Sequence, residues 1–517
     1  MKKCSHPVLV LALMCMVACG DTGTRKGNSG ENSRGADREA ERETAGKADR
    51  QGGAGTLRLH PENNHYLEYR GKPLILVTSA EHYGALVNKD FDEMAYLEAL
   101  AGEGFNYTRI FTGTYIEPVD NIFGIRENTL APPPGRYLSP WVQEEGKYDL
   151  DRFNPEYFSR LRAFVSRAEA LGIMVEVTLF SSIYDQSAWE LLPFNVHNNV
   201  NGAGHMDLRF VHTLYHGELG AYQEKFIRKM VRELNEYDNI FFEIQNEPWA
   251  DHPNLAAIVN LDDENVFNRS WQKRVEVAND VSADWQAWVA GVIGDEESSM
   301  QKKHLIAQNI SNFQYDIQDP PAGISIFNFH YAHPDAVRLN TGLQGVIGLD
   351  ETGFMPQDDL LYVTQAWRFI LSGGGLYNNL DYSFTAGHER GDWPIPASNP
   401  GWGGRDFREK LSILARTMTE VPFHEMEYSG TLVSAESEDL IQYGLHNRSG
   451  TCIVYLENCR GVTLRPAVPG GEYMVTWLDI YSGVRMESRK SLDKHTPLLF
   501  PYPADQGVLL IKPSPEQ

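Results

Sequence analysis

Between residues 74 and 380, short apolar runs alternate with amphipathic stretches of helical period, and this alternation constrains the fold more than any other feature. The runs are 74–78, 107–111, 174–180, 240–245, 304–309, 325–330, 346–349 and 375–380; helical patterns at 91–101, 155–171, 218–235, 281–292 and 360–371 lie between them. Strands that are apolar throughout are buried on both faces, which requires a parallel sheet covered by helices. Eight of them predict an α/β fold of the closed (β/α)8 TIM-barrel type. No Gly-x-Gly-x-x-Gly turn follows the first run, which removes the main dinucleotide-binding alternative. After about Met426 the helical period vanishes, and 431–433, 440–446, 451–457, 473–479 and 507–511 read as short strands between Gly, Asn and Pro turns. The expected division is a barrel over 57–425 and a small β-sandwich over 426–517.

The amino terminus reads as an export signal over 1–19: Lys2 and Lys3, an apolar stretch from Val8 to Val17, then Ala18-Cys19. Met16-Val17-Ala18-Cys19 resembles a bacterial lipobox, with Met where Leu is usual, so Cys19 is the expected lipid anchor; ordinary cleavage and release is the alternative. The segment 20–56 is rich in Gly, Ser, Thr and mixed charge and reads as a disordered tether. The expected location is therefore the bacterial cell envelope, as a lipoprotein, or otherwise the medium. Cys452 and Cys459 are the cysteines left in the folded body, either bridged or free. A formal net charge of −24 argues against nucleic acid as a partner.

The run at 240–245 ends in Asn246-Glu247-Pro248, and the run at 346–349 ends in Asp350-Glu351-Thr352-Gly353. Side chains at the carboxyl ends of parallel barrel strands converge on one face. Glu247 would follow the fourth strand and Glu351 the seventh. Two carboxyl groups facing each other can divide labour on a glycosidic bond, one donating a proton and the other attacking. The acid is expected to have a raised pKa from apolar or like-charged surroundings, and the nucleophile to be kept ionised by hydrogen-bond donors. Asp350 is the rival to Glu351, or else a cap at the strand end.

Together with Gly104-Phe105-Asn106-Tyr107-Thr108-Arg109-Ile110 on the second strand, these motifs resemble glycoside hydrolase clan A, and within it the cellulase-like family 5 and related bacterial barrel glycosidases with a C-terminal sandwich. The match spans roughly residues 57 to 420. The resemblance implies a retaining mechanism with Glu247 as acid/base and Glu351 as nucleophile, acting on carbohydrate without a cofactor or metal. Asn246 would hold the sugar 2-hydroxyl, and Arg109 would orient Glu351. On the sixth strand the family usually has His-x-Tyr, whereas here His330 and Tyr331 are adjacent. Neighbouring strand residues point to opposite faces, so one of the two is expected to serve. The eighth strand usually offers a tryptophan; here Tyr377 to Tyr382 stand in its place.

Glu81 and His82, after the first strand, are further candidates for sugar contacts. Trp249 is a candidate stacking platform, as are Trp189, Trp393 and Trp402. The net charge favours a neutral glycan over a polyanionic one. Two alternatives stand beside this reading: a metal-dependent barrel hydrolase using His82, His330, His333 and Asp350, and a non-catalytic carbohydrate-binding protein on the same scaffold. The insertions at 116–148, 181–214 and 385–405 would set the sugar and the linkage.

Overall fold

The computed structural model describes residues 55–260 and 270–514. The export signal, the lipobox cysteine and nearly all of the expected tether lie outside the described residues. Among the described residues, no helix is long and apolar enough to cross a membrane.

Eight parallel strands follow one another round a barrel in chain order: β1 (Leu76–Ala80), β2 (Tyr107–Phe111), β3 (Met174–Ser181), β4 (Ile240–Asn246), β5 (Ile306–Asn312), β6 (Ile326–His330), β7 (Val346–Glu351) and β8 (Leu376–Leu380). All eight are those expected. The limits move by a few residues, and two shifts matter: β4 runs on through Asn246 and β7 through Glu351, so the polar ends of both runs are still strand.

β8 pairs with β1 in register from Leu376↔Leu76 to Leu380↔Ala80. The seam between β1 and β2 is joined by a side chain. Asn106 accepts from the Val77 N–H at 2.9 Å and donates to the Ile75 carbonyl at 2.8 Å, and its own N–H reaches the Val77 carbonyl at 3.4 Å. An asparagine amide imitates a peptide group, so it can stand in for a missing rung of the ladder.

Helices Glu93–Glu103, Pro155–Leu171, Leu219–Leu234, Asp280–Ser298, Asp359–Ile370 and Arg405–Met418 cover the outside. Pro155–Leu171 illustrates why they form. Asn154 caps its first turn by accepting from the Glu156 N–H, Pro155 occupies the first helical position, and Gly172 ends it at φ 75°. Tyr157, Leu161, Phe164, Val165 and Ala168 recur at helical spacing and are buried.

A three-stranded antiparallel sheet of Arg58–Leu59, Leu67–Tyr69 and Lys72–Leu74 precedes the barrel. Leu67 of this sheet and Leu57 just before it pack with Leu76, Tyr107, Met174, Phe241, Ile326, Val346 and Leu376, all at or near the starts of barrel strands. The amino-terminal end of the barrel is thus apolar, and polar interior groups are left to the other end.

The C-terminal region is a sandwich. A six-stranded antiparallel sheet runs in the order Glu427–Tyr428, Ile441–His446, Cys452–Glu457, Gln506–Pro513, Gly471–Leu478, Arg485–Leu492. A second sheet joins Val433–Ala435, Thr463–Pro466 and Leu498–Leu499. Val454, Leu456, Val475, Trp477, Leu509 and Ile511 pack between the sheets, while Ile453, Tyr455, Val508 and Leu510 join the core shared with the barrel helices. Trp367 stacks on Tyr455 at 6.4 Å, and Arg368 grips Glu457 through two bonds of 2.6 and 2.5 Å.

Arg485–Leu492 was not expected as a strand because seven of its eight residues are polar or solvent-facing, as an edge strand permits. Cys452 and Cys459 are both free and buried, and burial pushes each thiol up to about 12.

Candidate active site

The carboxyl ends of β4, β6 and β7 bring Glu247, Tyr331 and Glu351 to one pocket of about 350 Å³, near the small end of ligand sites, with His330 buried behind Glu247. Glu247 is the residue at which β4 gives way to the short helix Pro248–Asp251. It adopts φ 48°, ψ 51°, a left-handed conformation that is uncommon for a residue with a Cβ. The turn is held by the Asn309 side chain on β5, which accepts from the Glu247 N–H at 3.0 Å and donates to Asp350 at 2.9 Å.

Both carboxylate oxygens of Glu247 are engaged. Oε1 lies 2.9 Å from His330 Nδ1, and Oε2 accepts from the Tyr184 hydroxyl at 2.6 Å. Burial would raise this carboxyl; the hydrogen bond and charge of His330, with Tyr184 and Arg109, outweigh it and hold Glu247 below its ordinary value. This corrects the expectation of a raised acid. His330 carries the compensating shift. Burial alone would lower it, but Glu351, Asp350 and Glu247 surround it and push it well above the usual imidazole range. A proton is therefore resident on the His330–Glu247 pair.

Glu351 receives three donors. Tyr83 donates to Oε2 at 2.9 Å, Tyr331 to Oε1 at 3.0 Å, and Arg109 Nη1 stands 3.4 Å from Oε2. Gly353, just beyond, sits at φ 98°, where a Cβ would lie 2.5 Å from the Leu380 carbonyl, so the turn after Glu351 demands glycine.

His330 and Tyr331 both face the pair, contrary to the expectation that adjacent strand residues must part. The strand ends at His330, and Tyr331 turns to φ 51° while its N–H bonds the Glu351 carbonyl at 2.8 Å. Leaving the extended conformation cancels the alternation and returns the tyrosine to the same side.

Below the pocket the barrel interior holds a buried charge network. Arg109 meets Glu243 through Nε–Oε2 at 2.8 Å and Nη2–Oε1 at 2.5 Å, and donates to Asn246 Oδ1 at 2.8 Å. Asp350 lies 3.5 Å from Arg109 and 3.4 Å from His330 Nε2, fully buried. Glu176 accepts from Tyr107 and, at 2.8 Å, from Asn328. Burial and the neighbouring Glu243 and Asp350 push Glu176 well above the ordinary carboxylate range. Asp350 thus belongs to the network under the site and does not reach the pocket.

Asn246, His82 and Trp249 line the pocket as expected; Trp249 is edge-on to His330 at 5.2 Å. Glu81 does not. Its carboxylate turns inward to accept the Gly84 and Ala85 N–H groups at 3.0 and 2.9 Å and the Thr129 hydroxyl, so it braces the loop after β1. Trp189, Trp393 and Trp402 are also absent from the wall; Trp402, for example, donates its indole N–H to Asp359 at 2.7 Å.

Reading the sequence missed Tyr83, Tyr184, Asn309, Glu243 and Trp271. Tyr83 stacks on Arg109 at 4.6 Å as well as bonding Glu351. Trp271 and Glu276 reach the pocket from an unexpected excursion after β4 that includes the hairpin Pro253–Ile258 and Arg274–Ala278. Of the three insertions thought to shape specificity, 116–148 and 181–214 supply wall residues and 385–405 supplies none among the described residues.

Two groups bring three possible metal donors within 4.8 Å of one another: Glu247, His330 and Glu351, and Glu176, Glu243 and Asp350. The expected quartet of His82, His330, His333 and Asp350 is not gathered among the described residues. A cation at the first group would have to displace the His330 proton and stand beside Arg109, which disfavours it electrostatically.

No family model matches the chain, and no curated protein sequence does. Solved structures do. A glycoside hydrolase family 5 protein from Bacteroides vulgatus ATCC 8482 matches with a TM-score of 0.60 at 12% identity, over 90% of this chain and 94% of that one. A second protein from the same organism, provisionally described as a glycoside hydrolase, matches with a TM-score of 0.60 at 14% identity, over 89% and 83%. A further glycoside hydrolase gives 0.59 at 12% identity, over 90% and 98%. The chain shares their fold. At such identities the likeness ends with the fold, covering barrel and sandwich together, and any chemistry must come from the side chains already described.

Proposed function

We propose that this protein is a retaining glycoside hydrolase acting on a neutral glycan or glycoside. One observation carries the reading: Glu247 and Glu351 face each other at the ends of β4 and β7, with an oxygen of each within 4.8 Å. Double displacement needs the two carboxyl groups about 5 to 5.5 Å apart, whereas inversion needs room for a water and about 6.5 to 9.5 Å.

In this mechanism Glu351 attacks the anomeric carbon as Glu247 passes a proton to the departing oxygen. That proton comes from the His330–Glu247 pair. Water then enters, Glu247 removes its proton, and the glycosyl–Glu351 ester is cleaved with net retention. Tyr83, Tyr331 and Arg109 hold the attacking carboxylate in place. Asn246, braced by Arg109 and Tyr184, presents its amide to the sugar. The barrel over 57–425 would carry the activity, and the signal at 1–19 would deliver it to the cell envelope, held there through Cys19 or released.

Incubation with 2-deoxy-2-fluoro aryl glycosides, followed by peptide mass spectrometry, tests the assignment. A glycosyl adduct on Glu351 is expected. Turnover giving the inverted anomer by NMR, or an adduct on Asp350, would overturn it. Loss of activity in EDTA that zinc restores would favour the metal alternative at Glu247, His330 and Glu351.

A further inference from the structure

The side of the pocket formed by the loops after β1 and β2 has polar atoms that the mechanism above does not use. Glu117 is almost wholly buried there. Its N–H is bound to the Leu130 carbonyl at 3.0 Å and its Oε2 takes the Asn128 amide, while Oε1 has only a loose 3.5 Å contact with His82 Nε2. Across from it, His82 Nδ1 and the hydroxyl of Tyr382, a residue 3% exposed, have no hydrogen-bond partner. The two rings lie 5.2 Å apart. An unmet buried polar atom is costly, and these two sit at the wall of a pocket, where a ligand can satisfy them.

The charge of the wall adds a second constraint. Glu117, Glu247, Glu276 and Glu351 all line the pocket, and among the described residues no lysine or arginine does. Arg109 and His330 lie behind it, already engaged with Glu243 and with Glu247. A carboxylate or sulfate on the bound sugar would meet this like charge, and among the described residues the cations at or beside the wall are already paired, Arg274 with Glu276 and His82 with Glu117.

We infer that Glu117, His82 and Tyr382 form a clamp for hydroxyl groups of the sugar beside Glu351, which selects a neutral sugar and rejects its uronic acid counterpart. The clamp rests on the glycosidase reading for its substrate class. In it, one sugar hydroxyl donates to Glu117 Oε1, while the Tyr382 hydroxyl and His82 Nδ1 meet its neighbour after small ring movements.

The test measures binding and turnover separately. Methyl β-glucoside, β-mannoside and β-galactoside, their monodeoxy analogues and their uronides are titrated by tryptophan fluorescence, which Trp249 and Trp271 report; the 4-nitrophenyl counterparts give hydrolysis. For the parent that binds, one deoxy position is expected to weaken binding about 10–100-fold, the range for a hydrogen bond to a charged group. Glu117→Gln and Glu117→Ala should lose that same factor on the parent and nothing more on that deoxy analogue. Tyr382→Phe, which removes a single oxygen, should repeat the pattern at the neighbouring position. The uronide should bind at least 10-fold more weakly than its parent, and Glu117→Gln should narrow that ratio.

A common loss on the parent and every analogue, a uronide bound as well as its parent, or no saturable signal with any parent overturns the clamp. Binding with the expected pattern but no turnover leaves the clamp standing and sinks the hydrolase reading. Turnover without the deoxy pattern does the reverse.

Discussion

Arg109 is held more tightly by Glu243 than by Glu351: two bonds of 2.8 and 2.5 Å join it to the first, against one of 3.4 Å to the second. The pair is fully buried, so the arginine is fixed from below and offers the nucleophile only a spare edge. Removing one partner of a buried ion pair leaves an uncompensated charge, at a cost of about 3–5 kcal/mol. Glu243→Ala should lower the urea unfolding free energy by about that amount. An unchanged urea midpoint would mean that Glu243 does not anchor Arg109.

Tyr184 adds to His330 in holding Glu247 charged on the acid side of the stability profile. It donates to Glu247 at 2.6 Å and so favours the charged form. Glu247 has a depressed pKa in the folded state, so its contribution is fully present above its ordinary 4.5 and is lost as pH falls through the lower folded value. Tyr184→Phe weakens the depression. The loss should then begin at higher pH than in the parent, read as urea midpoints across the acid range. Coincident acid profiles would count against the bond.

His330 works in the opposite direction. Its raised pKa gives stability that is complete below its ordinary 6.5 and disappears as pH climbs through the folded value. The alkaline limb of kcat/KM should accordingly lie well above the ordinary imidazole range. His330→Gln should move that limb acidward and cut kcat at neutral pH by about 100-fold, the scale of general acid–base assistance. A limb that stays put would show that the proton is not drawn from His330.

Asn106 closes the barrel seam through Val77 and Ile75. Asn106→Ala strands one backbone donor and one acceptor, at about 1–3 kcal/mol for each fully buried group. A loss of about 2–6 kcal/mol in urea unfolding is expected, with little change in kcat for the molecules that remain folded. An unaltered midpoint would mean that the seam closes without this amide.

The order and number of barrel strands were legible because burial on both faces leaves a continuous apolar run, which is a local signal. Glu247 and Glu351 were legible for the same reason, since each interrupts such a run at its end. Glu81 was misassigned because a carboxylate after a strand looks alike in sequence whether it faces the pocket or turns back to cap its own loop. Tyr83, two residues on, made the contact instead. Tyr184 and Trp271 gave no signal, since an aromatic residue in a long loop is usually packing.

By itself the sequence determined the eightfold alternation, the positions of the two carboxylates at strand ends and the polar break after each. These follow from hydrophobic periodicity, which is read over a few residues. Which way the charges settle was decided only by the tertiary structure. Glu247 is lowered because His330 arrives from β6, Tyr331 reaches Glu351 because its backbone leaves the strand, and Glu176 is raised because it is buried where Glu243 and Asp350 converge. Electrostatic energy depends on distances across the barrel between residues far apart in the chain, and local pattern carries no record of those distances.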